Sequence, residues 1–447
     1  MATATKTPAK WETLPAKQQP TYEDEAEVRA VTDELKSLPG LVDPNDTDRL
    51  LAKLAKVAEG KGFILQAGNC AEEFGTPIAK LTNLIKIILQ MTMVLLWGGG
   101  MEIVKLVRGA GQYAKPRSAD TDKSGRKSYR GDMVNGLEET DEARRHDPQR
   151  LLTAYRESRA TWAEIRRLTT GGMADLRWIH NWNLEFVANT RQGRLYEKVA
   201  GIIDQAISFM EACGVDVRGM SATQVAEVFT SHEALVLAYE GALLRNGYDS
   251  SAHYLWIGER TRQLDHAHVE FFRHVRNPVG IKVGPGTTPE EIRAYCRLLN
   301  PHNIPGKLVF VSRMGATNID RVLPELMRAA AETGCPVIWQ CDPMHGNTIE
   351  SVSGFKTRRI KSIKREIKGF FRACAITGTH PGGVHLELTG DDVTECLGGH
   401  QDIQDADLHR EYTTACDPRL NAGQSLQIAF YVAKLLRQHR QNLTLAA

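Results

Sequence analysis

Short apolar runs that end abruptly in polar or glycine residues recur along most of this chain. Segments long enough for one helix separate most of the later runs. Strands that alternate with helices predict a parallel sheet, and eight such units predict an α/β protein whose sheet closes into a (β/α)8, or TIM, barrel. The eight runs are Phe63–Gln66, Glu102–Val107, Gln224–Ser231, His253–Gly258, Val279–Val283, Leu308–Ser312, Val337–Cys341 and Gly383–Leu388.

Two regions depart from this alternation. Residues 1–60 precede the barrel and predict a peripheral helical extension, with helices at Glu23–Leu38 and Thr47–Glu59. The gap between the second and third runs is far too long for one helix. We therefore place the barrel at residues 61–447 and a helical insertion within it, between the second and third strands, at about 119–222. The helical patterns of the insertion are Pro148–Leu168, Ala174–Val187 and Leu195–Ala212.

The charge pattern argues against a nucleic-acid partner. The chain has 56 basic and 54 acidic residues and a net charge of only +2, whereas proteins that bind polyanions carry a basic excess. We interpret the basic run at residues 356–361 as the solvated face of a barrel helix. Eight scattered cysteines without a CxxC pair predict neither a disulfide framework nor a zinc finger.

The hydropathy pattern argues against a membrane-bound protein. The most apolar stretch, Ile87–Trp97, has about half of the roughly 20 residues that a bilayer crossing requires. A buried helix is the better interpretation of this stretch. The N-terminal residues lack the apolar core of a signal peptide. We therefore expect a cytoplasmic protein with no membrane partner.

Basic residues lie at or after the ends of several predicted strands. In a barrel of this kind the loops after the strands converge on one mouth, where the active site lies. Charges of one sign gathered there repel one another unless an anion binds, and guanidinium groups match phosphate and carboxylate. The sequence therefore predicts an anion pocket built from Arg108, Lys115, Arg117, Arg260, Lys282 and Arg313.

A second group at the same strand ends combines sulfur, nitrogen and oxygen donors. Thiolate, imidazole and carboxylate together suit borderline divalent metals such as Mn, Co, Fe or Zn. The four residues are spread over nearly the whole chain, so their spacing alone does not distinguish a metal site from a buried cysteine, a hydrogen-bonded histidine and two acids. The group comprises Cys70, His345, Glu387 and Asp417.

These residues lie in motifs that resemble one enzyme family, the class II 3-deoxy-D-arabino-heptulosonate 7-phosphate (DAHP) synthases. Nine motifs occur in the family's order and span nearly the whole chain, and together they are highly specific. They are FILQAGNCAE (63–72), GQYAKPRS (111–118), YRGDMVNG (129–136), SAHYLWIGERTRQLD (251–265), SRMG (312–315), CDPMHGNT (341–348), HPGGVHLELTG (380–390), VTECLGG (393–399) and ACDPRLN (415–421).

The resemblance implies a metal-dependent barrel enzyme that condenses phosphoenolpyruvate with erythrose 4-phosphate and water. The products are DAHP and phosphate, at the first step of the shikimate pathway to aromatic amino acids. The implied cofactor is one divalent metal ion, Mn²⁺ or Co²⁺ first and Fe²⁺ or Zn²⁺ as alternatives. As a Lewis acid, the ion polarises the aldehyde oxygen for attack by the enol carbon.

The resemblance also implies a role for individual residues. Lys115, Arg108 and His345 are expected to be catalytic, with Lys115 protonating the new alkoxide unless a metal-bound water does so. The implied metal ligands are Cys70, His345, Glu387 and Asp417. The implied phosphoenolpyruvate contacts are Arg108, Glu259, Arg260, Lys282 and Arg313, and the implied erythrose 4-phosphate contacts are Lys115, Arg117 and Ser118.

One departure from the family pattern keeps alternative functions open. The family usually has Gly-Gly-Asp-Cys where this chain has Ala-Gly-Asn-Cys, so Asn69 removes a negative charge beside the implied metal site. One alternative is an amino-DAHP synthase that acts on an amino- or imino-substituted erythrose phosphate in secondary metabolism. Another is a non-catalytic regulatory barrel, which a missing ligand would favour, and none of the implied ligands is missing.

Two further expectations follow from the resemblance. The chain is expected to form a homo-oligomer, either dimer or tetramer, and a chorismate mutase is a candidate partner, although no residue here points to one. Because Cys416 adjoins Asp417, it should lie near Cys70 in metal-free protein. Oxidation could then form a Cys70–Cys416 disulfide that blocks metal binding.

Overall fold

The strands of the chain close into one parallel barrel. A computed structural model describes residues 9–170, 181–183, 185–214 and 226–446. Each barrel strand pairs in parallel with the next one along the chain, and the last pairs with the first, which confirms the predicted (β/α)8 barrel. The barrel strands are β1 (Gly62–Gly68), β2 (Glu102–Arg108), β3 (Phe229–Glu233), β4 (Tyr254–Ile257), β5 (Val279–Val283), β6 (Leu308–Ser312), β7 (Val337–Cys341) and β8 (Pro381–Glu387).

The third strand departs most from its predicted bounds. It was expected at Gln224–Ser231, on an apolar run, and it lies at Phe229–Glu233. Its last residues are polar yet buried, and the imidazole of His232 lies 3.0 Å from the carboxylate of Glu240. Hydrophobicity therefore does not mark the end of this strand, because its end faces a buried polar cluster.

Helices surround the barrel and fill the region between β2 and β3. The helices of the described residues are α1 (Glu25–Ser37), α2 (Pro44–Ala58), α3 (Ile78–Gly99), α4 (Asp141–Arg144), α5 (Gln149–Thr170), α6 (Glu185–Ala188), α7 (Arg191–Ala212), α8 (Leu237–Ala242), α9 (Ala267–Phe272), α10 (Pro289–Leu299), α11 (Ile319–Ala331), α12 (Ile360–Thr377) and α13 (Ala422–Ala446). In the inserted segment, α5 and α7 match two of the three expected helical patterns. Most of the third, Ala174–Val187, lies outside the described residues.

Helix α2 packs into the barrel and not on its periphery as expected. Asp43 caps its first turn by accepting from the Asn45 N–H, and proline at the first position suits a helix start. Leu50 and Leu54 on one face of α2 are fully buried with the inward-facing residues of the strands. At the N-terminal end of β2, Glu102 accepts a hydrogen bond from Lys53 of α2 at 2.5 Å. Helix α2 therefore closes the end of the barrel opposite the strand carboxyl ends.

Helix α3 contains the apolar stretch Ile87–Trp97 and is twice as long as that stretch. By length and composition alone α3 could cross a membrane, but most of its residues are buried within the structure. A Cβ on Gly98 would lie 2.4 Å from the Cβ of Ala433, so glycine allows α13 to approach α3 closely. The expected buried helix is confirmed.

Two small antiparallel ribbons lie outside the barrel. One joins Leu244–Arg245 to Tyr248–Asp249. The other joins Thr348–Glu350, after β7, to Lys356–Arg358, before α12. Residues 356–361 were expected on the solvated face of a helix, and this expectation is wrong. Lys356–Arg358 is a ribbon strand, and α12 begins only at Ile360.

Candidate metal and substrate site

The residues predicted for the metal site converge at the carboxyl ends of the barrel strands. Glu387 is the last residue of β8, and Cys70 follows β1, which lies between β2 and β8 in the sheet. Gly68 has a φ of +145°, and a Cβ there would lie 2.2 Å from the Arg108 carbonyl oxygen. Glycine at this position therefore allows the chain to turn toward Cys70 without a clash.

Three of the four predicted metal ligands form a compact cluster. One ligand atom from each of Cys70, Glu387 and Asp417 lies within 4.8 Å of the other two. The cluster does not include His345, but its Nε2 lies 3.1 Å from Oε1 of Glu387. All four predicted ligands are thus neighbours, although they are separated by up to 347 positions in the chain.

Surrounding groups orient the imidazole and the carboxylate. His345 Nδ1 donates to Oδ2 of Asp342 at 2.6 Å, which turns Nε2 toward Glu387, and carboxylates orient metal-binding histidines in this way. Arg358 donates to Oε2 of Glu387 at 2.8 Å. Burial opposes ionisation of Glu387, yet the interactions with His345, Lys115 and Arg358 hold its pKa well below the usual range.

The donor set fits a divalent metal ion. Oε1 of Glu387 is buried and has no hydrogen-bond partner, although His345, Arg108 and Lys115 approach it at 3.1, 3.3 and 3.6 Å. A buried ionised oxygen without a hydrogen bond is costly, and a bound cation would satisfy it. A thiolate, an imidazole and two carboxylates match the preferences of borderline divalent ions.

Buried cations lie beside the cluster. Arg108 donates to the Cys70 carbonyl oxygen at 2.8 Å, and its guanidinium lies 5.3 Å from the ring centroid of Trp256. Lys282 Nζ lies 5.8 Å from the same ring and 2.9 Å from Oδ2 of Asp342. Burial lowers the pKa of Lys282 and opposes the charged form of Lys115. The interactions with Cys70 and Asp417 outweigh that burial and raise the pKa of Lys115 well above the usual range.

A cavity of about 830 Å³ opens above these buried groups. Cys70, Arg108 and Glu387 are buried behind its lining. At its rim, Arg260 donates to the Ser118 hydroxyl at 2.7 Å, and Arg313 donates to the His345 carbonyl oxygen at 3.2 Å. The predicted site residues that line the cavity are Lys115, Arg117, Ser118, Glu259, Arg260, Lys282, Arg313, His345 and Asp417.

Comparison with known proteins identifies the family. The model of the class-II DAHP synthetase family matches residues 6–433. The chain belongs to this family. It is 51% identical over 435 residues to "Phospho-2-dehydro-3-deoxyheptonate aldolase AroG" of Mycolicibacterium smegmatis, covering 95% of this chain and 93% of that protein. It is 50% identical over 437 residues to "Phospho-2-dehydro-3-deoxyheptonate aldolase" of Streptomyces coelicolor, covering 96% of each.

A solved structure also resembles the chain. The phospho-2-dehydro-3-deoxyheptonate aldolase from Francisella tularensis aligns over 95% of this chain and all of that chain, with a TM-score of 0.46 and 12% identity. The assignment of the barrel rests on the strand pairing of this chain itself.

Sequence reasoning missed three side chains of this class-II DAHP synthetase site. Lys356 lines the cavity and pairs with Asp417, Arg358 is fully buried against Glu387, and Asp342 orients His345. A hairpin signal was present, because Gly354, with a φ of +83°, lies between the two ribbon strands. It was overlooked because a run of basic residues usually lies on a solvated surface.

Proposed function

We propose that this class-II DAHP synthetase family member condenses phosphoenolpyruvate with erythrose 4-phosphate and water, releasing DAHP and phosphate. The observation that carries the proposal is Oε1 of Glu387, a buried carboxylate oxygen with no hydrogen bond, faced by His345 and the cations of a large open cavity. The two relatives, both about half identical to this chain, are named as aldolases of phospho-2-dehydro-3-deoxyheptonate, which is the product of this condensation, and they support the same reaction.

Cys70, His345, Glu387 and Asp417 would hold one divalent ion, Mn²⁺ or Co²⁺ in our proposal, with Fe²⁺ or Zn²⁺ as alternatives. Such an ion supplies Lewis acidity to the aldehyde oxygen. Asp342 supports this assignment because it fixes the His345 tautomer, with the proton on Nδ1 and the lone pair on Nε2.

The cationic residues are assigned to the two phosphorylated substrates. Phosphoenolpyruvate is a multiply charged anion at neutral pH, and Arg108, Lys282 and Arg313 come from three different strands whose ends share one mouth. Burial of Arg108 and Lys282 strengthens their attraction for the anion because water screens it less. Glu259 and Arg260 complete this contact set.

The loop after β2 is assigned to the aldose phosphate. Lys115 Nζ lies 3.2 Å from Oδ2 of Asp417 and lines the cavity, so an ammonium proton is available to the alkoxide that forms when the aldehyde carbon is attacked. Arg117 and Ser118 lie further out on the same loop and would hold the phosphate group.

Metal depletion tests the function directly. Chelator-treated protein is mixed with both substrates, and phosphoenolpyruvate loss and phosphate release are followed without added metal and with Mn²⁺, Co²⁺, Fe²⁺ or Zn²⁺. We expect turnover only with metal and one phosphate released per condensation. Folded protein that shows no turnover with any of the four metals would contradict the proposal, and the amino-substituted aldose phosphate would be tested next.

We propose a cytoplasmic homo-oligomer, dimer or tetramer, made of an N-terminal extension (1–60) and a barrel domain (61–447) with an insertion at about 119–222. Light scattering on the purified chain tests the oligomeric state. A chorismate mutase stays a candidate partner, which co-purification would test.

A further inference from the structure

A short N-terminal segment, residues 14–22, runs across the barrel loops and is held at several points. The Pro15 carbonyl oxygen accepts from the Ala267 N–H at 2.9 Å. The Gln19 side chain donates to the Leu235 carbonyl oxygen at 2.7 Å and accepts from the Leu237 N–H at 3.0 Å. These contacts fix the segment against the loops that follow β3 and β4.

Between these anchors, Gln18 turns its side chain toward the substrate loop after β2. Its φ is +64°, in the left-handed region that non-glycine residues rarely adopt. Its Oε1 accepts from the Arg117 N–H at 2.8 Å and from Arg130 Nη1 at 3.4 Å. One oxygen atom thus joins the N-terminal segment to two neighbouring stretches of the loop.

The two stretches that Gln18 joins carry the aldose end of the cavity. The Lys115 N–H donates to the Arg130 carbonyl oxygen at 2.8 Å, so Arg130 supports Lys115 through its main chain. Arg117 has its main-chain N–H on Gln18, and Ser118 accepts from Arg260 at 2.7 Å. Arg130 is itself buried and pairs with Asp120 at 2.5 Å.

We propose that Gln18 is a positioning residue for the loop Lys115–Ser118 and hence for binding of the aldose phosphate. The inference rests on the proposed function, which assigns that loop to erythrose 4-phosphate. Gln18 acts through an acceptor oxygen only, since both of its partners donate. Removing the acceptor leaves the Arg117 N–H and one Arg130 N–H without this partner. The loop then loses this attachment to the N-terminal segment. Arg108, at the end of β2, and Lys282 and Arg313, at the ends of other strands, keep their contacts.

The acceptor requirement defines a set of matched variants. Gln18→Ala removes the acceptor, whereas Gln18→Glu keeps an acceptor oxygen at the same position. Lys17→Ala is the control for a change in the same segment, because Lys17 gives Gln19 only its main-chain carbonyl oxygen, which the variant retains. Steady-state kinetics of the metal-loaded full chain gives the KM for each substrate.

We expect Gln18→Ala to raise the KM for erythrose 4-phosphate about fivefold, as for one or two lost hydrogen bonds, with the KM for phosphoenolpyruvate changed less than about twofold. Gln18→Glu and Lys17→Ala should stay within about twofold of the parent for both substrates. An unchanged KM for erythrose 4-phosphate in Gln18→Ala, or an equal rise in both KM values, would overturn the proposal.

Binding of inorganic phosphate separates this inference from the function. Calorimetric titration with phosphate, with phosphoenolpyruvate present to fill its own site, should show about fivefold weaker binding to Gln18→Ala than to the parent or Gln18→Glu. If the parent protein has no synthase turnover but this difference appears, the proposed function fails and the role of Gln18 stands. Equal affinities, or no phosphate binding to the folded parent, would overturn the role of Gln18.

Discussion

Arg358 and Glu387 form an ion pair in which neither side chain has any exposed surface, with Nη2 2.8 Å from Oε2. The pair joins the ribbon strand Lys356–Arg358 to the end of β8, so it fixes both the carboxylate and the ribbon. Removing one member of a buried pair leaves an uncompensated charge, which is far more costly than losing a pair at the surface.

Arg358→Met is therefore expected to lower the free energy of unfolding of the metal-free protein by about 3 kcal/mol. Lys356→Met is the matched control, because Lys356 is on the same ribbon strand and pairs with Asp417 while its side chain is 49% exposed. We expect the control to lose less than about 1 kcal/mol. Urea unfolding of both variants measures the difference, and equal losses would contradict the prediction.

Asn69→Asp is expected to tighten metal binding. Oδ1 of Asn69 accepts from Arg419 at 3.4 Å, and Arg419 also pairs with Glu395 at 2.6 Å. An aspartate would add a negative charge next to Cys70, only partly neutralised by Arg419. We expect the Kd for Mn²⁺ to fall about tenfold, measured by calorimetry.

The control for this charge change is Asn303→Asp. Asn303 is exposed in the loop before β6, at the opposite end of the barrel from the proposed metal site. The same added charge there should leave the Kd for Mn²⁺ unchanged. If Asn69→Asp binds Mn²⁺ no more tightly than the control variant, the charge at position 69 does not change the affinity for Mn²⁺.

Oxidation of metal-free protein is expected to join Cys70 and Cys416. The Asp417 N–H donates to Cys70 Sγ at 3.2 Å, so the adjacent Cys416 lies near Cys70. The interaction with Cys70 lowers the pKa of the Cys416 thiol, which favours the reactive thiolate. The oxidant in this experiment is hydrogen peroxide. It takes up the two electrons and two protons that the thiols release and is reduced to water. Peptide mapping should find the disulfide without Mn²⁺ and much less of it with Mn²⁺ bound.

Cys416→Ser tests the pairing. It keeps Cys70, a proposed metal ligand, and should abolish the crosslink under the same peroxide treatment. Two free thiols at positions 70 and 416 in oxidised, metal-free parent protein would show that the neighbouring sulfur atoms do not react.

Stability is expected to fall as pH rises through the neutral range, partly because of Glu240. Burial raises the pKa of Glu240 to about 8, and its carboxyl group faces His232, Asp249 and Ser251. Because the unfolded chain releases this proton near pH 4 to 5, the folded protein binds more protons between about pH 5 and 8. The stabilising contribution is therefore complete below that window and lost as pH rises through it.

Glu240→Gln should flatten this dependence. A single group of this kind contributes up to about 1.4 kcal/mol of unfolding free energy per pH unit inside its window. Urea unfolding of parent and variant at several values between about pH 5 and 8 gives the two slopes. Parallel slopes would mean that Glu240 is ionised in the folded protein at all of these values.

The sequence by itself determined the architecture. Strand runs such as Val279–Val283 and Leu308–Ser312 have the same bounds in the structure as in the pattern, because barrel strands are buried on both faces and read as short apolar runs. Polar residues near the end of such a run, as Lys282 is, or just after one, as Arg313 and His345 are, were also placed at one mouth, since parallel strands share one carboxyl end.

Only the tertiary structure decided which polar groups work together. Arg358 and Asp342 contact the predicted ligands Glu387 and His345, and Gln18 contacts the Arg117 loop from 99 positions away. No periodicity marks these residues, because a buried arginine or an N-terminal glutamine looks like a surface residue until its partner is known. The local pattern of apolar residues predicts which segments are buried. Hydrogen bonds and ion pairs between distant positions depend instead on distances that exist only after the barrel has closed.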